Sequence, residues 1–127
     1  MEIQIYPLDS LNNYRFVVIF AKYGDKWLLT RHKERTTWEA AGGHIEIGET
    51  TLEAAKRELY EETGAIKFTI KPVFDYTDGQ VFLAEITELG DLPDSEMAEV
   101  KLFDTAPQNL TYPQIFPILF SEIEKVL

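Results

Sequence analysis

Between Gly43 and Ala65 the chain reads GHIEIGETTLEAAKRELYEETGA, with Glu46, Glu49, Glu53, Glu58, Glu61 and Glu62 set against only Lys56 and Arg57 as cations. Thr50 to Thr63 has the pattern of a helix. Thr50 followed three residues later by Glu53 is a capping box, and Gly64 suits the left-handed stop after the last turn. At about 100° per residue, Leu52, Ala55 and Leu59 fall on one side of that helix and Glu58, Glu61 and Glu62 on another. The acidic stripe does not help the helix. Glu58–Glu61 and Glu58–Glu62 are like-charge neighbours costing about 0.2–0.5 kcal/mol each, and the end of a helix favours cations. Carboxylates gathered without His or Cys make an all-oxygen site of the kind hard divalent cations prefer. The stripe therefore predicts a platform where Mg²⁺ or Mn²⁺ meets phosphate. Arg57 carries the planar fork that pairs with carboxylate or phosphate. The glycines at 42 and 43 allow close backbone approach, and a main-chain carbonyl there is a further oxygen ligand. The plain alternatives are a solvated acidic face, an Arg57–Glu61 pair four residues apart, a Glu49 that favours the helix start, and a simple Gly-Gly turn.

The whole chain limits what such a site can serve. It has 127 residues, 45% of them apolar and no Cys. That suits one globular domain and excludes a disulfide framework, a cysteine-ligated zinc and a thiol nucleophile. The longest apolar runs, such as FVVIFA, are too short to cross a bilayer, and MEIQIYPLDS lacks the layout of a secretory signal. A cytoplasmic setting without membrane partners is the expectation. The formal charge of -10 should repel a nucleic-acid polymer. A small phosphorylated ligand is compatible with that charge when a divalent cation bridges the two.

Around the acidic helix, Tyr14 to Tyr23 is β-branched and aromatic and reads as a buried strand. Gly24-Asp25 is a turn, and Lys26 to His32 returns as the hairpin partner. KERTTWEAAGG reads mostly as loop. IKFTIKPVFDYT and GQVFLAEIT read as strands joined near Asp78-Gly79, EVKLFD as a short strand, and TYPQIFPILFSEIEKVL as a terminal helix broken or begun near Pro113 and Pro117. This order predicts an α+β fold, a mixed sheet with a helix on each face.

Taken as one unit, Gly43, Glu49, Arg57-Glu58-Leu59, Glu61-Glu62, Gly64 and the small apolar Ala65 resemble the Nudix box, here residues 43–65. Ala65 stands where a larger aliphatic is usual, and Ala41 where Pro often precedes the glycines. KWLLTRH with WEAAGGHIE, and EMAEVKLFD, are similar to the segments that flank the box in the family. The resemblance implies a single Nudix domain over residues 1–127, an α/β/α sandwich around a central mixed sheet. It implies a divalent-cation-dependent hydrolase of a nucleoside diphosphate linked to another group. Carried across, Glu58, Glu61 and Glu62 would hold Mg²⁺ (or Mn²⁺) with the Gly42 carbonyl, while Arg57 and Glu49 orient those acids. Glu58 is the first choice as general base, with Glu96 and Glu99 as alternatives. Glu46 has no settled role.

The box does not specify the substrate. A compact chain looks more like the MutT-type nucleoside triphosphate pyrophosphatases, acting on an ordinary or oxidised nucleotide and releasing the monophosphate and pyrophosphate. QNLTYPQIFPILF resembles the segment beside the base pocket in that group, with Asn109, Tyr112 and Phe116 as base contacts or, equally, as loop and core residues. Trp38 and Tyr76 read as core or pocket wall. Arg31, His32, Lys33 and Arg35 form the densest basic cluster, placed to meet phosphates or only to flank a hairpin end. The alternatives are a hydrolase of ADP-ribose or another nucleotide sugar, and a nucleotide-binding domain without catalysis. The complete Arg-Glu-Glu-Glu set argues against the last.

Overall fold

The computed structural model describes residues 3–127. Seven strands and two helices are seen among them: β1 Ile5–Tyr6, β2 Phe16–Tyr23, β3 Lys26–His32, β4 Ala41–His44, α1 Thr51–Thr63, β5 Ala65–Tyr76, β6 Gly79–Leu89, β7 Met97–Phe103 and α2 Phe116–Glu124. The strand order is β1-β5-β6-β2-β3-β7, with β4 attached to β2. The sheet is mixed because β2 and β6 run parallel while the other pairs are antiparallel.

The two-residue alternation of the central strands divides their side chains between two cores. Val17, Ile19 and Ala21 of β2, Leu28 of β3, and Phe82, Ala84 and Ile86 of β6 pack with Ala54, Ala55 and Leu59 of α1. Phe20, Trp27, Leu29, Val81 and Leu83 point the other way, onto Phe116, Leu119, Phe120 and Ile123 of α2. A strand buried on both faces needs apolar residues at every position, which is why FVVIFA reads as one continuous run. Each helix covers one face of the sheet, as the element order predicts. No helix among the described residues is long and apolar enough to cross a membrane.

Several boundaries differ from the sequence expectation. The first long strand starts at Phe16 rather than Tyr14, and β6 runs on to Leu89 rather than ending at Thr87. Gly42 and Gly43 do not form a turn. They lie in β4, paired with Val18 and Val17. The terminal helix is shorter than expected and begins at Phe116, with Pro117 in its first turn, where a missing N–H costs nothing.

A buried polar network joins the segment before β2 to the β5–β6 hairpin and to α1. Asp75 is fully buried. Its Oδ2 accepts from the Ser10 N–H at 2.8 Å and the Tyr14 hydroxyl at 2.7 Å, and its Oδ1 from Gln80 Nε2 at 3.0 Å. Gln80 Oε1 in turn accepts from the Thr51 hydroxyl at 2.6 Å. The first turn of α1 is therefore tied to the sheet by side-chain hydrogen bonds as well as by apolar packing.

Candidate active site

The position of the acidic residues follows from how α1 is held. Thr50 Oγ1 accepts from the Glu53 N–H at 3.1 Å, and the Glu53 carboxylate accepts from the Thr50 N–H at 2.9 Å, so the capping box is complete. At the other end Gly64 has φ of 79° and donates its N–H to the Tyr60 carbonyl. The apolar side differs in one residue from the wheel: Ala54 is buried with Ala55 and Leu59, whereas Leu52 is 38% exposed. That rotation carries Glu58 inward, to 9% exposure.

Arg57 is the hub of the site. Its Nε donates to Glu49 Oε2 at 2.7 Å and its Nη2 to Glu49 Oε1 at 2.9 Å, a two-pronged pair. Nη1 meets Glu58 Oε1, and Glu61 Oε2 at 3.4 Å. Nη2 also reaches the His44 carbonyl at 3.1 Å, and Glu46 Oε1 lies 3.6 Å from Nε. The guanidinium proton is held well above its usual range, first by the hydrogen bond to Glu49. Glu49 is held down to about 2 by Arg57 and by the Glu46 N–H. The structure thus brings Glu49 to Arg57 across the loop, and the i,i+4 contact with Glu61 exists beside that pair.

Glu62 faces the other way. Its Oε1 accepts from the Gly42 N–H at 2.9 Å, so the Gly42 group seen at this carboxylate is the amide rather than the carbonyl. The Glu62 carboxyl is pushed up to about 8, first by burial and further by Glu58, Glu39 and Glu96, against the Gly42 hydrogen bond. Burial also raises Glu58, although Arg57 opposes it. Among the described residues Glu62 has no cationic partner, and no three acidic or His side chains converge as ligands. Arg57 lies between Glu58 and Glu61, which keeps those two carboxylates on the guanidinium. The donor chemistry fits a hard divalent cation: carboxylate oxygens lie beside main-chain groups of β4, and the half-buried Glu62 faces no cationic side chain among the described residues. Gly43 is needed for this approach. A Cβ there would stand 2.6 Å from Glu58 Oε2.

Of these groups Glu62, Gly42 and Gly43 reach a cleft of about 480 Å³, whereas Arg57, Glu49, Glu58 and Glu61 do not line it. Gly42, Gly43 and Glu62 form one side, with Phe16, Tyr76 and Phe116 among the walls. Of the sequence-predicted substrate contacts, Arg35, Tyr112 and Phe116 line the cleft. Arg35 is raised chiefly by its neighbour Tyr112 and lies 3.5 Å from Glu39. Phe116 is also core, stacked on Phe120 at 5.6 Å. Arg31 does not line the cleft. It pairs with Glu99 at 3.3 Å and donates to the Arg35 carbonyl. Asn109 is likewise outside, donating to the Thr36 carbonyl. Trp38 is core, edge-on to Phe103. Of the later acids, Glu96 lines the cleft and Glu99 does not.

Glu39 is a cleft residue that sequence reasoning missed. It is buried to 9%, its main chain exchanges two hydrogen bonds with Thr30, and burial raises its carboxyl. Nothing local in WEAAGG marks that Glu as internal. Only the pairing of its backbone across to β3 makes it so.

The comparisons with known proteins agree with this geometry. The NUDIX domain profile matches residues 13–106. YtkD of Bacillus subtilis, named as a candidate 8-oxo-dGTP diphosphatase, is 32% identical over 117 residues, covering 85% of this chain and 73% of that one. The RNA pyrophosphohydrolase of Francisella philomiragia is 38% identical over 47 residues, but the match spans only 37% of this chain and 30% of that one. The crystal structure of the pyrophosphohydrolase BsRppH of Bacillus subtilis superposes with a TM-score of 0.82 at 25% identity, over 98% of this chain and 90% of that one. A profile match across most of the chain, a relative aligned over most of both lengths and a shared mixed sheet coincide with the Arg57-centred acidic helix. By these three agreements the chain belongs to the Nudix family, hydrolases that act on phosphoanhydride bonds with divalent cations.

Proposed function

We propose that residues 1–127 form one Nudix domain that hydrolyses a nucleoside triphosphate between its α- and β-phosphates, giving the monophosphate and pyrophosphate. The MutT-like group is the nearest description, in a cytoplasmic setting and with Mg²⁺ or Mn²⁺ as the cation. The observation that carries this reading is Glu62, a half-buried carboxyl on the cleft side of α1 with no cation partner among the described residues. Glu58, Glu61 and Glu62 would hold the cation together with a main-chain oxygen at Gly42. When bound, it screens the charge of the diphosphate and acidifies a nearby water.

The chain's own residues do the rest. Arg57, clamped by Glu49, sets where Glu58 and Glu61 point. Arg35 at the cleft wall supplies positive charge for the polyphosphate, and Tyr112 and Phe116 flank the base. Arg31 and Asn109 would act only by supporting the Arg35 carbonyl and the Thr36 carbonyl that they bind. Sequence favours Glu58 as the proton acceptor. Geometry favours Glu96 for that step, because Glu58 is buried against Arg57 while Glu96 lines the cleft. Water oxygen bonds to phosphorus, the bridging P–O bond breaks, the pyrophosphate leaves, and the water proton passes to the carboxylate.

YtkD supports an oxidised guanine nucleotide as one substrate to try. The triphosphate end of an RNA is the second reading, favoured by the short match to the RNA pyrophosphohydrolase. The formal charge of -10 works against holding the rest of a polymer. The test is a panel of nucleoside triphosphates, 8-oxo-dGTP, ADP-ribose, nucleotide sugars and triphosphorylated RNA, with each cation in turn. Pyrophosphate and a monophosphate from free nucleotides support the proposal, whereas AMP with a sugar phosphate supports the ADP-ribose alternative. Glu61→Gln and Glu62→Gln should each lower kcat on the order of a hundredfold. If no phosphoanhydride is cleaved with either cation, the binding-domain alternative replaces this one.

A further inference from the structure

The segment that carries Glu96 is built with unusual care for a loop. At the end of β3 the pairing with β7 slips: Arg31 lies opposite Glu99 and His32 opposite Met97, leaving Ala98 as an extra residue. Such bulges re-aim side chains at sheet ends beside active sites. The main chain at Glu96 is then pinned. Its carbonyl accepts from the Lys33 N–H at 2.9 Å, and the next amide, Met97 N–H, donates to Ser95 Oγ at 3.2 Å. With the backbone fixed, what remains free is the direction of the Glu96 side chain, which is 83% exposed.

One neighbour can set that direction. His32 Nε2 lies 3.6 Å from Glu96 Oε2, and both residues line the cleft with Glu62. The other ring nitrogen is already used: His32 Nδ1 accepts from the Glu34 N–H at 3.1 Å. A backbone N–H can only donate, so Nδ1 must be unprotonated, and the proton of the neutral ring sits on Nε2. The loop turn after β3 therefore selects the tautomer that presents an N–H to Glu96.

We infer that His32 is a positioning residue: locked by the Glu34 amide with its proton on Nε2, it holds the Glu96 carboxylate over the cleft where the attacking water must lose its proton. This rests on the reading of Glu96 as the proton acceptor in a triphosphate hydrolase. It also separates His32 from its basic neighbours. Lys33 reaches Asp94, which is fully exposed, and Arg31 reaches Glu99 away from the cleft.

A mutant cycle tests the inference on the intact chain with whichever triphosphate the wild type cleaves. His32→Leu removes the donor and should lower kcat on the order of tenfold to a hundredfold with KM little changed. His32→Gln keeps an amide N–H near the same place and should recover much of that loss. In a Glu96→Gln background the His32→Leu change should cost almost nothing more, because the group it positions is gone. Lys33→Ala serves as the control for loop tethering and should leave kcat near wild type. Melting temperatures of all variants separate misfolding from misplacement. Long-range ¹⁵N correlation of the His32 ring in mildly alkaline buffer should show the Nε2–H tautomer independently of turnover.

Additive losses in the cycle, equal losses for Lys33→Ala and His32→Leu, or an Nδ1–H tautomer would each overturn the role of His32 while leaving the triphosphatase reading intact. A Glu96→Gln variant with wild-type kcat would remove Glu96 as acceptor and His32 with it. A wild type that cleaves nothing fails at the functional reading instead.

Discussion

Arg57 makes contacts that no other side chain could reproduce from one position. It offers two parallel bonds to Glu49, one to Glu58 and one to a main-chain carbonyl of β4. A lysine is a point charge that could satisfy one of these at a time. Arg57→Lys should therefore keep the net charge yet lose the orientation of Glu58 and Glu61, lowering kcat about tenfold to a hundredfold in steady-state assays. Glu49→Gln should have the same sign and a smaller size, since the amide still accepts one of the two bonds. The Glu49 shift also carries a pH signature. Its pKa is lowered from 4.5 to about 2 in the folded protein. The stabilisation is thus complete above 4.5 and is lost as the pH falls toward about 2. Thermal melts through that acid window should fall more steeply for wild type than for Glu49→Gln, and equal slopes would remove Glu49 as a contributor. The gathering of Glu49, Glu58 and Glu61 around Arg57 was legible in sequence because residue types and their spacing sufficed. The internal Glu39 was not, because its burial comes from a strand pairing 9 residues away in the chain.

At the scale of elements, α1 is bounded by local signals and β4 by none. Thr50, Glu53 and Gly64 announce both helix ends, and the structure shows all three contacts. β4 contains two glycines, poor strand formers by propensity, and exists because Val17 and Val18 offer it a partner. The same distant pairing turned an expected Gly-Gly turn into the wall against which Glu58 and Glu62 pack. The two kinds of element should respond differently to substitution. Thr50→Ala removes one cap and should cost about 1 kcal/mol of stability in denaturant titration. Gly64→Ala should cost more. It forces an L residue into the left-handed region, about 1–2 kcal/mol, and its Cβ would stand 2.6 Å from the Asp91 carbonyl. Gly43→Ala should act mainly on kcat, because its Cβ meets the movable carboxylate of Glu58 rather than backbone. A Gly43→Ala enzyme with unaltered turnover would show that Glu58 can shift without consequence.

At the scale of the whole molecule, β1 is held by its pairing with β5 and by Ile5 against the second core, while the stretch from Ser10 to Tyr14 needs another tether. That work falls to Asp75, which gathers Ser10, Tyr14 and Gln80 and through Gln80 reaches Thr51 at the start of α1. A fully satisfied polar network fixes one arrangement, and a partly satisfied one is costly. Asp75→Ala takes the acceptor from the half-buried Tyr14 hydroxyl and the exposed Ser10 N–H, and leaves Gln80 Nε2 with Asp9 Oδ1 at 3.2 Å, so it should destabilise the fold by about 1–3 kcal/mol. Tyr14→Phe removes one bond and should cost about 1 kcal/mol, leaving Asp75 with its other two partners. The tyrosine also reports on the network by titration. Burial and the Asp75 carboxylate raise the Tyr14 phenol from 10.0 to about 12. A folded-state pKa above the unfolded one gives stability that is intact below pH 10 and is lost as the pH rises from there to about 12. Burial raises Tyr76 in the same direction, so wild-type stability should fall through that window with contributions from both phenols. Denaturant midpoints followed from neutral to alkaline pH should fall less for Tyr14→Phe, with Tyr76 supplying the remaining slope. The variant should also keep the wild-type kcat at neutral pH, because Gln80 still binds both Asp75 and Thr51. If Tyr14→Phe instead lowered kcat as strongly as a change on α1, the network would be setting the carboxylates of the site and not only the path of the chain into β2.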